Sequence, residues 1–264
     1  MTLSKHFKGV TLLVTHFNRS LSLERQLKAF HSLNCLFEEI VVSDDCSNAD
    51  HLAFLQKLQI EYGFRLITTE KNRGLANNIN KGQDTVHTNY TLYVQEDFIP
   101  TEKFPASFKD ALRIMDERAD LDIIRFYSYL PYPYTVPYRD GFSEMQFKAW
   151  GTKYHKIYVY SDHPHLRRSN FFEKFGRYIE KIPSDRAEYW MCISFLQNKG
   201  KSMLYDCFKS LFEQYNPLSE PSTVKRQNWT LSSNILISTI RYFYRQVRYN
   251  YDIHFTKKQL TNYK

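Results

Sequence analysis

Two adjacent carboxylates, Glu96 and Asp97, follow the apolar residues 92–94 and stand shortly before Pro100. This pattern predicts a buried strand whose carboxyl end delivers both acids into a crevice, the place where α/β sheets bind ligands. Two neighbouring carboxylates repel each other unless a positive charge lies beside them, and hard oxygen donors suit Mg²⁺ or Mn²⁺. The pair is therefore a candidate metal site, and two solvated acids at a strand end are the alternative.

Strands and helices alternate along the first hundred residues. Apolar, β-branched runs predict strands at residues 10–15, 39–43, 64–68 and 90–94. Apolar residues at helical spacing predict helices near 21–33, 49–61 and 75–87, and Ser20 is placed to cap the first of them. Four such alternations with short connections predict an α/β fold, a mostly parallel sheet covered by helices on both faces.

Polar residues recur where these predicted strands end. They are Asn18 and Arg19, Asp44 and Asp45, Asn72 and Gly74, and finally Glu96 and Asp97. Each set alone is typical of a turn or a helix cap. Four sets at one edge of one sheet favour a ligand site. The chain has neither a G-x-G-x-x-G nor a G-x-x-x-x-G-K-[ST] motif, which argues against a dinucleotide dehydrogenase and a P-loop enzyme.

Four motifs stand in series at residues 15–19, 41–47, 72–74 with 80–82, and 95–97. Their order and spacing resemble the family 2 glycosyltransferases of the GT-A fold over about residues 8–100, and more weakly to about residue 208. The resemblance implies a nucleotide-sugar lying across the strand ends. Ten residues become candidate donor contacts: Thr15, Phe17, Asn18, Arg19, Asp44, Asp45, Asn72, Gly74, Asn80 and Glu96.

The resemblance also implies roles within that set. Thr15 and Phe17 would line the base pocket, and Asp45 would hydrogen-bond the base. Asp97 would hold the divalent metal, Mn²⁺ or Mg²⁺, that bridges the diphosphate, with Glu96 toward the ribose and sugar. His254 is a second metal candidate, because C-terminal histidines reach the metal in some related enzymes; a surface histidine is the alternative.

Asp185 and Glu188 are the candidate catalytic acids. They lie at i and i+3 after Pro183, hence on one face of a predicted helix that Ser184 is placed to cap. Stabilising the helix N-terminus is one role for both acids. The family resemblance implies another, because its catalytic base is an acid at this position, which takes the proton of the acceptor hydroxyl. Glu188 is the first choice for the base and Asp185 the second.

The middle of the chain is less regular. A helix is predicted at residues 104–118, a strand at 121–127, and an extended aromatic loop at 129–138, where proline excludes a helix or a central strand. That loop could stack on an acceptor sugar or pack on its own rings. A further strand is predicted at 156–160. His163 and His165 are candidates for contact with phosphate or acceptor, or for turn roles. Arg167 and Arg168 are expected to be solvated charges on a helix.

The basic charge is concentrated at the C-terminus. Residues 225–264 contain eight Lys and Arg and one acid, Asp252, so they carry +7 of the net charge of +8. A helix is predicted at 234–249, with one apolar sector and one arginine stripe. The apolar sector comprises Leu236, Ile240, Phe243 and Val247, and the stripe Arg241, Arg245 and Arg248. This pattern favours an anionic membrane surface, with docking on the domain or a second subunit as the alternative and nucleic acid less favoured.

Other sequence features bound the cellular setting. The four cysteines are scattered without a C-x-x-C pair, and we see neither a signal peptide nor eighteen or so consecutive apolar residues. We therefore expect a cytoplasmic protein, peripheral on the inner face of the membrane. Residues 1–100 are the expected nucleotide-sugar half of one domain, 101–224 its acceptor and catalytic half, and 225–264 a basic tail.

The sequence thus predicts an inverting, metal-dependent glycosyltransferase, a hexosyl- or N-acetylhexosaminyltransferase. Its donor would be a nucleotide-diphosphate sugar, most plausibly a UDP-sugar, and its acceptor a glycan or lipid-linked saccharide. A homo-oligomer is compatible with the sequence. The alternative is a non-catalytic module of the same fold that binds membrane or nucleic acid through its basic tail.

Overall fold

The computed structural model describes residues 5–221, 235–256 and 260. The first half contains strands β1 (Lys5–His16), β2 (Cys35–Asp44), β3 (Arg65–Ile67), β4 (Tyr90–Gln95) and β5 (Phe98–Pro100). Its helices are α1 (Ser20–Ser32), α2 (Ala49–Tyr62), α3 (Leu75–Gln83) and α4 (Phe104–Glu117). The predicted alternation of strands and helices over these residues is confirmed.

The second half is more mixed. Its strands are β6 (Ile123–Arg125), β7 (Thr135–Arg139), β8 (Phe142–Met145), β9 (His165–Arg168), β10 (Ser202–Tyr205) and β11 (Phe212–Gln214). Its helices are α5 (Phe171–Phe175), α6 (Ser184–Gln197) and α7 (Ile235–His254), with a 3₁₀ turn at Tyr154–Ile157. Of the predicted tail at 225–264, residues 225–234, 257–259 and 261–264 lie outside the described residues. Within the parts described, every helix is too short or too polar to cross a membrane.

One sheet organises the described residues, with strand order β3-β2-β1-β4-β9-β6-β10-β8-β7. β1, β2, β3 and β4 are mutually parallel, as predicted, whereas β9 runs antiparallel between β4 and β6. Aliphatic and aromatic side chains from both faces of β1 and β4 are fully buried, which explains why these strands are continuous apolar runs. The mostly parallel α/β sheet flanked by helices is confirmed.

Arg167 and Arg168 are strand residues, so their prediction as solvated helix charges is wrong. The Arg167 side chain is fully buried, donates Nε and Nη2 to Gln83 Oε1 at 3.1 and 2.7 Å, and lies over the Tyr93 ring. Arg168 donates to the carbonyl oxygens of Leu121 and Met115. Distant partners accept hydrogen bonds from both guanidinium groups, which is what permits arginine inside the sheet. Among the described residues, Arg167 Nη1 has no hydrogen-bond partner.

The prediction of a strand at residues 156–160 is also wrong. Its first residues form the 3₁₀ turn, and Lys156 is completely buried. The Lys156 ammonium donates to the carbonyls of Ala149 and Gly151 and to Gln246 Oε1, so tertiary contacts override the local β propensity. The proline-rich loop at 129–138 contributes the edge strand β7, a position that tolerates proline.

The N-terminus of α1 is capped from the far end of the described domain. The Glu220 carboxylate accepts hydrogen bonds from Leu21 N at 3.0 Å, Ser22 N at 2.8 Å and Ser22 Oγ at 2.6 Å. Ser20 is the first helical residue and its hydroxyl contacts His51, so its prediction as the cap is wrong. Ser184 likewise begins α6 after Pro183 instead of capping it.

We expect Glu220→Ala to lower the free energy of unfolding by about 1–2 kcal/mol, because three donors at a helix N-terminus lose their acceptor. Urea denaturation followed by circular dichroism measures this. Glu213→Ala is the matched control, since Glu213 is exposed on β11. Equal midpoints for the two variants would contradict the assigned cap.

Candidate functional site

The register of the parallel strands brings four chain segments to one edge. Thr15 of β1 is level with Ser43 of β2 on one side and with Gln95 of β4 on the other. The residues that follow, 16–19, 44–47 and 96–97, therefore meet there, and residues 72–74 join them through Asp45. The predicted convergence of polar strand ends is present in the fold.

Asp44 holds the ends of β1 and β2 together. Its Oδ1 lies 2.8 Å from His16 Nδ1, and its Oδ2 accepts from the backbone N–H of Ser47 at 2.9 Å. Burial opposes the charge on this carboxylate, but the hydrogen bonds from His16 and Ser47 outweigh it and lower the pKa of Asp44. Asp44 is fully buried, and its contacts give it a structural task at the edge.

Asp45 fixes the turn before α3. Its two carboxylate oxygens accept from the backbone N–H groups of Arg73 at 2.8 Å and Gly74 at 2.7 Å. Gly74 has a φ of 83°, a left-handed value that favours glycine. Asn72 Oδ1 accepts from the same Gly74 N–H at 3.2 Å, and its side chain is exposed. These contacts fix the conformation of the turn at residues 72–74.

The remaining first-half candidates divide into buried and accessible groups. Thr15 is buried, with Oγ1 3.1 Å from the Tyr93 hydroxyl. Phe17 and Asn18, which follow β1, are partly exposed. Asn18 adopts a φ of 51°, a conformation that asparagine tolerates, and its Oδ1 accepts from Asn48 N at 2.8 Å. Phe17 and Asn18 are thus the more available of the three to a ligand.

Asn80 connects α3 to the segment before α6. It exchanges two hydrogen bonds with the backbone of Tyr178, at 2.9 and 3.0 Å, and donates to Glu180 Oε1 at 3.2 Å. Glu180 also accepts from Arg73 and Asn77. Glu180 was absent from the sequence candidates, because nothing local in residues 178–180 indicates partners about a hundred positions earlier.

Arg19 lies against the carboxylate pair that first suggested a site. Its Nη1 is 3.3 Å from Glu96 Oε1 and 3.8 Å from Asp97 Oδ2, and its Nη2 donates to Asn216 Oδ1 at 2.7 Å. Burial and the neighbouring Asp97 raise the pKa of Glu96 to about 8, although Arg19 opposes the shift. The required positive charge is therefore supplied in part by the chain itself.

Asp97 carries an uncommitted oxygen. Gln214 Nε2 donates to Oδ2 at 2.8 Å, whereas Oδ1 is buried and finds no hydrogen-bond partner within the part of the chain that the structure describes. Over that same part, no three His, Cys, Asp or Glu side chains converge as a cation site. The donor set therefore fits a cation held by one protein carboxylate and completed by ligand oxygens, a pattern common for Mg²⁺.

His254 and Asp185 lie at exposed positions. His254 is at the end of α7, with its ring near Phe255, and Asp185 is in the first turn of α6. Glu188, one turn further along α6, is partly buried and accepts at Oε1 from Ser161 Oγ at 2.8 Å and from Asp162 N at 3.1 Å. Of the two acids, Glu188 is the one that the fold fixes in place.

A chain of contacts links Asp97 to Glu188. Gln214 donates to Asp97 and accepts at Oε1 from the Tyr129 hydroxyl at 2.8 Å. The Tyr129 ring meets that of His163 edge-on at 4.6 Å, and Ser161 Oγ lies 2.9 Å from His163 Nδ1. Burial and Arg125 lower the pKa of His163 to about 3, so this imidazole is neutral. The aromatic loop thus contributes Tyr129 between the two candidate reactive groups.

His165 faces away from this chain of contacts. It is fully buried in β9 beside the Tyr93 ring, and its Nδ1 contacts the carbonyl oxygen of His163. Burial, with Arg167 nearby, lowers its pKa well below the usual value. His165 is a structural core residue.

The carboxyl ends of the strands are where α/β sheets bind ligands, and a fold alone does not define the reaction. The model of glycosyl transferase family 2 matches residues 11–176, more than half of the chain. The protein belongs to the glycosyl transferase family 2, and the resemblance stated from its motifs is confirmed.

One relative is the cholesterol galactosyltransferase of Borreliella burgdorferi (strain ATCC 35210 / DSM 4680 / CIP 102532 / B31). It is 24% identical over an alignment of 168 residues that covers 58% of this chain and 46% of the relative. The match thus spans about half of the relative's length.

Solved structures share the fold. S. aureus TarS (residues 1–349) aligns with a TM-score of 0.60 and 14% identity, over 94% of this chain and 73% of that one. Its complex with UDP-GlcNAc gives 0.58 and 14%, over 95% and 72%. The mannosyltransferase PcManGT from Pyrobaculum calidifontis, in complex with GDP-Man and Mn²⁺, gives 0.54 and 11%, over 90% and 64%.

Asp162 generates a pH prediction. It is buried beside Glu188, and its Oδ1 accepts from the Tyr178 hydroxyl. Burial, and next the charge of Glu188, raise its pKa from 3.8 to about 8. Between about pH 4 and about pH 8, Asp162 is protonated in the folded chain and ionised in the unfolded chain, so unfolding releases a proton. The contribution of Asp162 to the free energy of unfolding therefore falls as the pH rises through this range.

We expect Asp162→Asn, which is neutral at every pH, to gain stability relative to wild type as pH rises through that window. Urea midpoints at about pH 5 and about pH 8 measure the difference. Asp185→Asn, an exposed acid in the neighbouring helix, is the control. A wild-type-minus-variant difference independent of pH would contradict the raised pKa.

Proposed function

We propose that the protein is an inverting, metal-dependent glycosyltransferase whose donor is a nucleotide-diphosphate sugar, most plausibly a UDP-sugar. The observation that carries this proposal is the linked pair of acids. Asp97 offers a buried oxygen that has no hydrogen-bond partner among the described residues, and Glu188 is held by Ser161 and the Asp162 backbone at the other end of one chain of contacts. A single-displacement transfer needs such a division between a cation ligand and a general base.

In the proposed reaction, the nucleotide lies across the strand ends, where Phe17 and Asn18 are accessible and Asp45 shapes the turn at residues 72–74. The Glu188 carboxylate takes the proton of an acceptor hydroxyl as its oxygen forms a bond to the anomeric carbon. The bond from that carbon to the diphosphate oxygen breaks on the opposite face, so the configuration inverts. A divalent cation on Asp97 would offset the charge that develops on the departing diphosphate.

We propose the transferred group and the nucleotide from the proteins to which this chain is similar. The name of one relative specifies a galactosyltransferase, and TarS is solved with UDP and with UDP-GlcNAc. A hexosyl or N-acetylhexosaminyl group carried by UDP is therefore the first donor class to test. PcManGT, solved with GDP-Man and Mn²⁺, supports including manganese and a GDP-sugar in the panel.

We place the acceptor among glycans or lipid-linked saccharides at the cytoplasmic face of a membrane. The named relative transfers to cholesterol, a lipid, which supports an acceptor presented at a bilayer. The basic charge of the C-terminal forty residues supports the same placement. A homo-oligomer stays compatible with this proposal.

Glu188→Gln is expected to lower the transfer rate by about 10²–10⁴-fold, because the amide cannot accept the proton. UDP affinity should be unchanged. The assay measures Mn²⁺-dependent release of UDP from a panel of UDP-sugars, and calorimetry measures UDP binding. Asp185→Asn is the matched control on the same helix. If Asp185→Asn abolishes activity and Glu188→Gln does not, Asp185 is the base.

Asp97→Asn is expected to weaken Mn²⁺-dependent UDP binding by about tenfold or more, because the cation loses its charged ligand. Calorimetric titration of UDP with Mn²⁺ and with EDTA separates this loss from misfolding, since metal-free binding should match wild type. Equal UDP affinity of the variant and wild type in Mn²⁺ would refute the metal assignment. No donor turnover by the wild-type chain would favour the non-catalytic alternative.

A further inference from the structure

Helix α7 has one face committed to the domain. Tyr249 packs against Tyr189 of α6 with ring centroids 5.8 Å apart, and the Tyr189 hydroxyl donates to Asp252. Gln197 of α6 donates to carbonyl oxygens at the end of α7, among them that of Asp252 at 3.0 Å. The tail therefore docks on the catalytic domain, which the sequence left as one of three alternatives.

The opposite face of α7 is apolar and exposed. Its residues recur at spacings of three and four, so they form one sector of the helix. This sector, the α7 apolar stripe, comprises Ile240, Phe243, Tyr244, Val247, Tyr251 and Phe255, which are 58–72% exposed. Ile240, Phe243 and Val247 of the apolar sector predicted from sequence face solvent, and the side chain of Leu236 lies outside the described residues.

Positive charge borders the stripe on one flank. At 100° per residue, Arg241, Arg245 and Arg248 fall between the stripe and the docked face. The Arg245 guanidinium lies over the Tyr154 ring at 4.5 Å, and Arg248 over Tyr189 at 4.8 Å. Aromatic stacking holds Arg245 and Arg248 beside the stripe. Arg248 Nε also lies 3.5 Å from Asp252 Oδ2, so part of the charge on this flank is paired.

A further exposed aromatic residue, Trp150, lies on a loop that is hydrogen-bonded to α7. Gln246 donates to the carbonyl oxygens of Gly151 at 3.2 Å and Thr152 at 2.9 Å, and accepts from buried Lys156 at 2.6 Å. The same loop carries Trp150, 86% exposed, between the exposed Lys148 and Lys153. Tryptophan flanked by lysines is typical of segments that sit at a lipid headgroup layer.

We propose that the α7 apolar stripe docks into the interfacial layer of an anionic lipid bilayer, with α7 parallel to the surface. The arginine flank supplies the complementary charge, and the stripe supplies the apolar area that interfacial helices bury. A second copy would bring two like arginine flanks together. Single-stranded nucleic acid would leave Ile240 and Val247 without apolar partners. This inference deepens the membrane placement in the proposed function, and it does not depend on the transfer chemistry.

The test is sedimentation of the full chain with phosphatidylglycerol-containing vesicles, without nucleotide sugar. Ile240→Glu with Val247→Glu is expected to lower the bound fraction by about tenfold or more, because charge replaces inserted apolar side chains. The matched control is Ile60→Glu, since Ile60 is an exposed isoleucine on α2, 88% exposed. It should bind like wild type. Binding of wild type should also weaken with salt and with pure phosphatidylcholine vesicles.

Three outcomes would overturn the proposal. Wild type that does not sediment with anionic vesicles excludes the lipid surface. Equal loss with Ile60→Glu shows nonspecific adsorption. A wild-type dimer by light scattering that Ile240→Glu dissociates, without vesicle binding, assigns the stripe to a second copy. Melting temperatures of the variants, with UDP binding, show that each remains folded, so a failure here is distinguishable from failure of the glycosyltransferase proposal.

Discussion

The site depends on the alignment of β1 with its two parallel neighbours. Hydrogen bonding fixes Thr15 level with Ser43 and Gln95, and because side chains alternate across a sheet, a shift of one residue would reverse every side chain of β1. The fully buried Leu12, Leu13 and Val14 occupy both faces of the sheet. Their burial against the flanking helices therefore holds the register that brings residues 16–19, 44–47 and 96–97 together.

Two buried acid pairs face the same electrostatic problem. Like charges close together in a poorly solvated place favour a proton on one of them. Burial raises the pKa of one member of each pair, Glu96 beside Asp97 and Asp162 beside Glu188, to about 8. The same physics thus operates at both ends of the chain of contacts that runs through Gln214, Tyr129, His163 and Ser161. Arg19 opposes the shift of Glu96 at one end, and Arg167 opposes the shift of Asp162 at the other.

Local sequence patterns predicted the strands and helices of the first hundred residues well. Apolar runs ended by polar residues located β1 to β4 and their shared edge, because parallel strands buried on both faces leave that pattern. Such patterns failed where a residue's partner is remote. Arg167 is acceptable in β9 only because Gln83 and Tyr93 are there, and Lys156 is buried only because Gln246 meets it. Glu180 and Glu220 escaped notice for the same reason, since their hydrogen-bond partners lie about a hundred and about two hundred positions away.

The Glu220 cap affects the order in which contacts form during folding. The acceptor for the first N–H groups of α1 is synthesised 198 residues after Ser22. Asn216, the partner of Arg19, arrives almost as late. Contacts of such long range are slow to form, because loop closure must precede any gain from them. We therefore expect the contacts of Ser22 with Glu220 and of Arg19 with Asn216 to form late in folding.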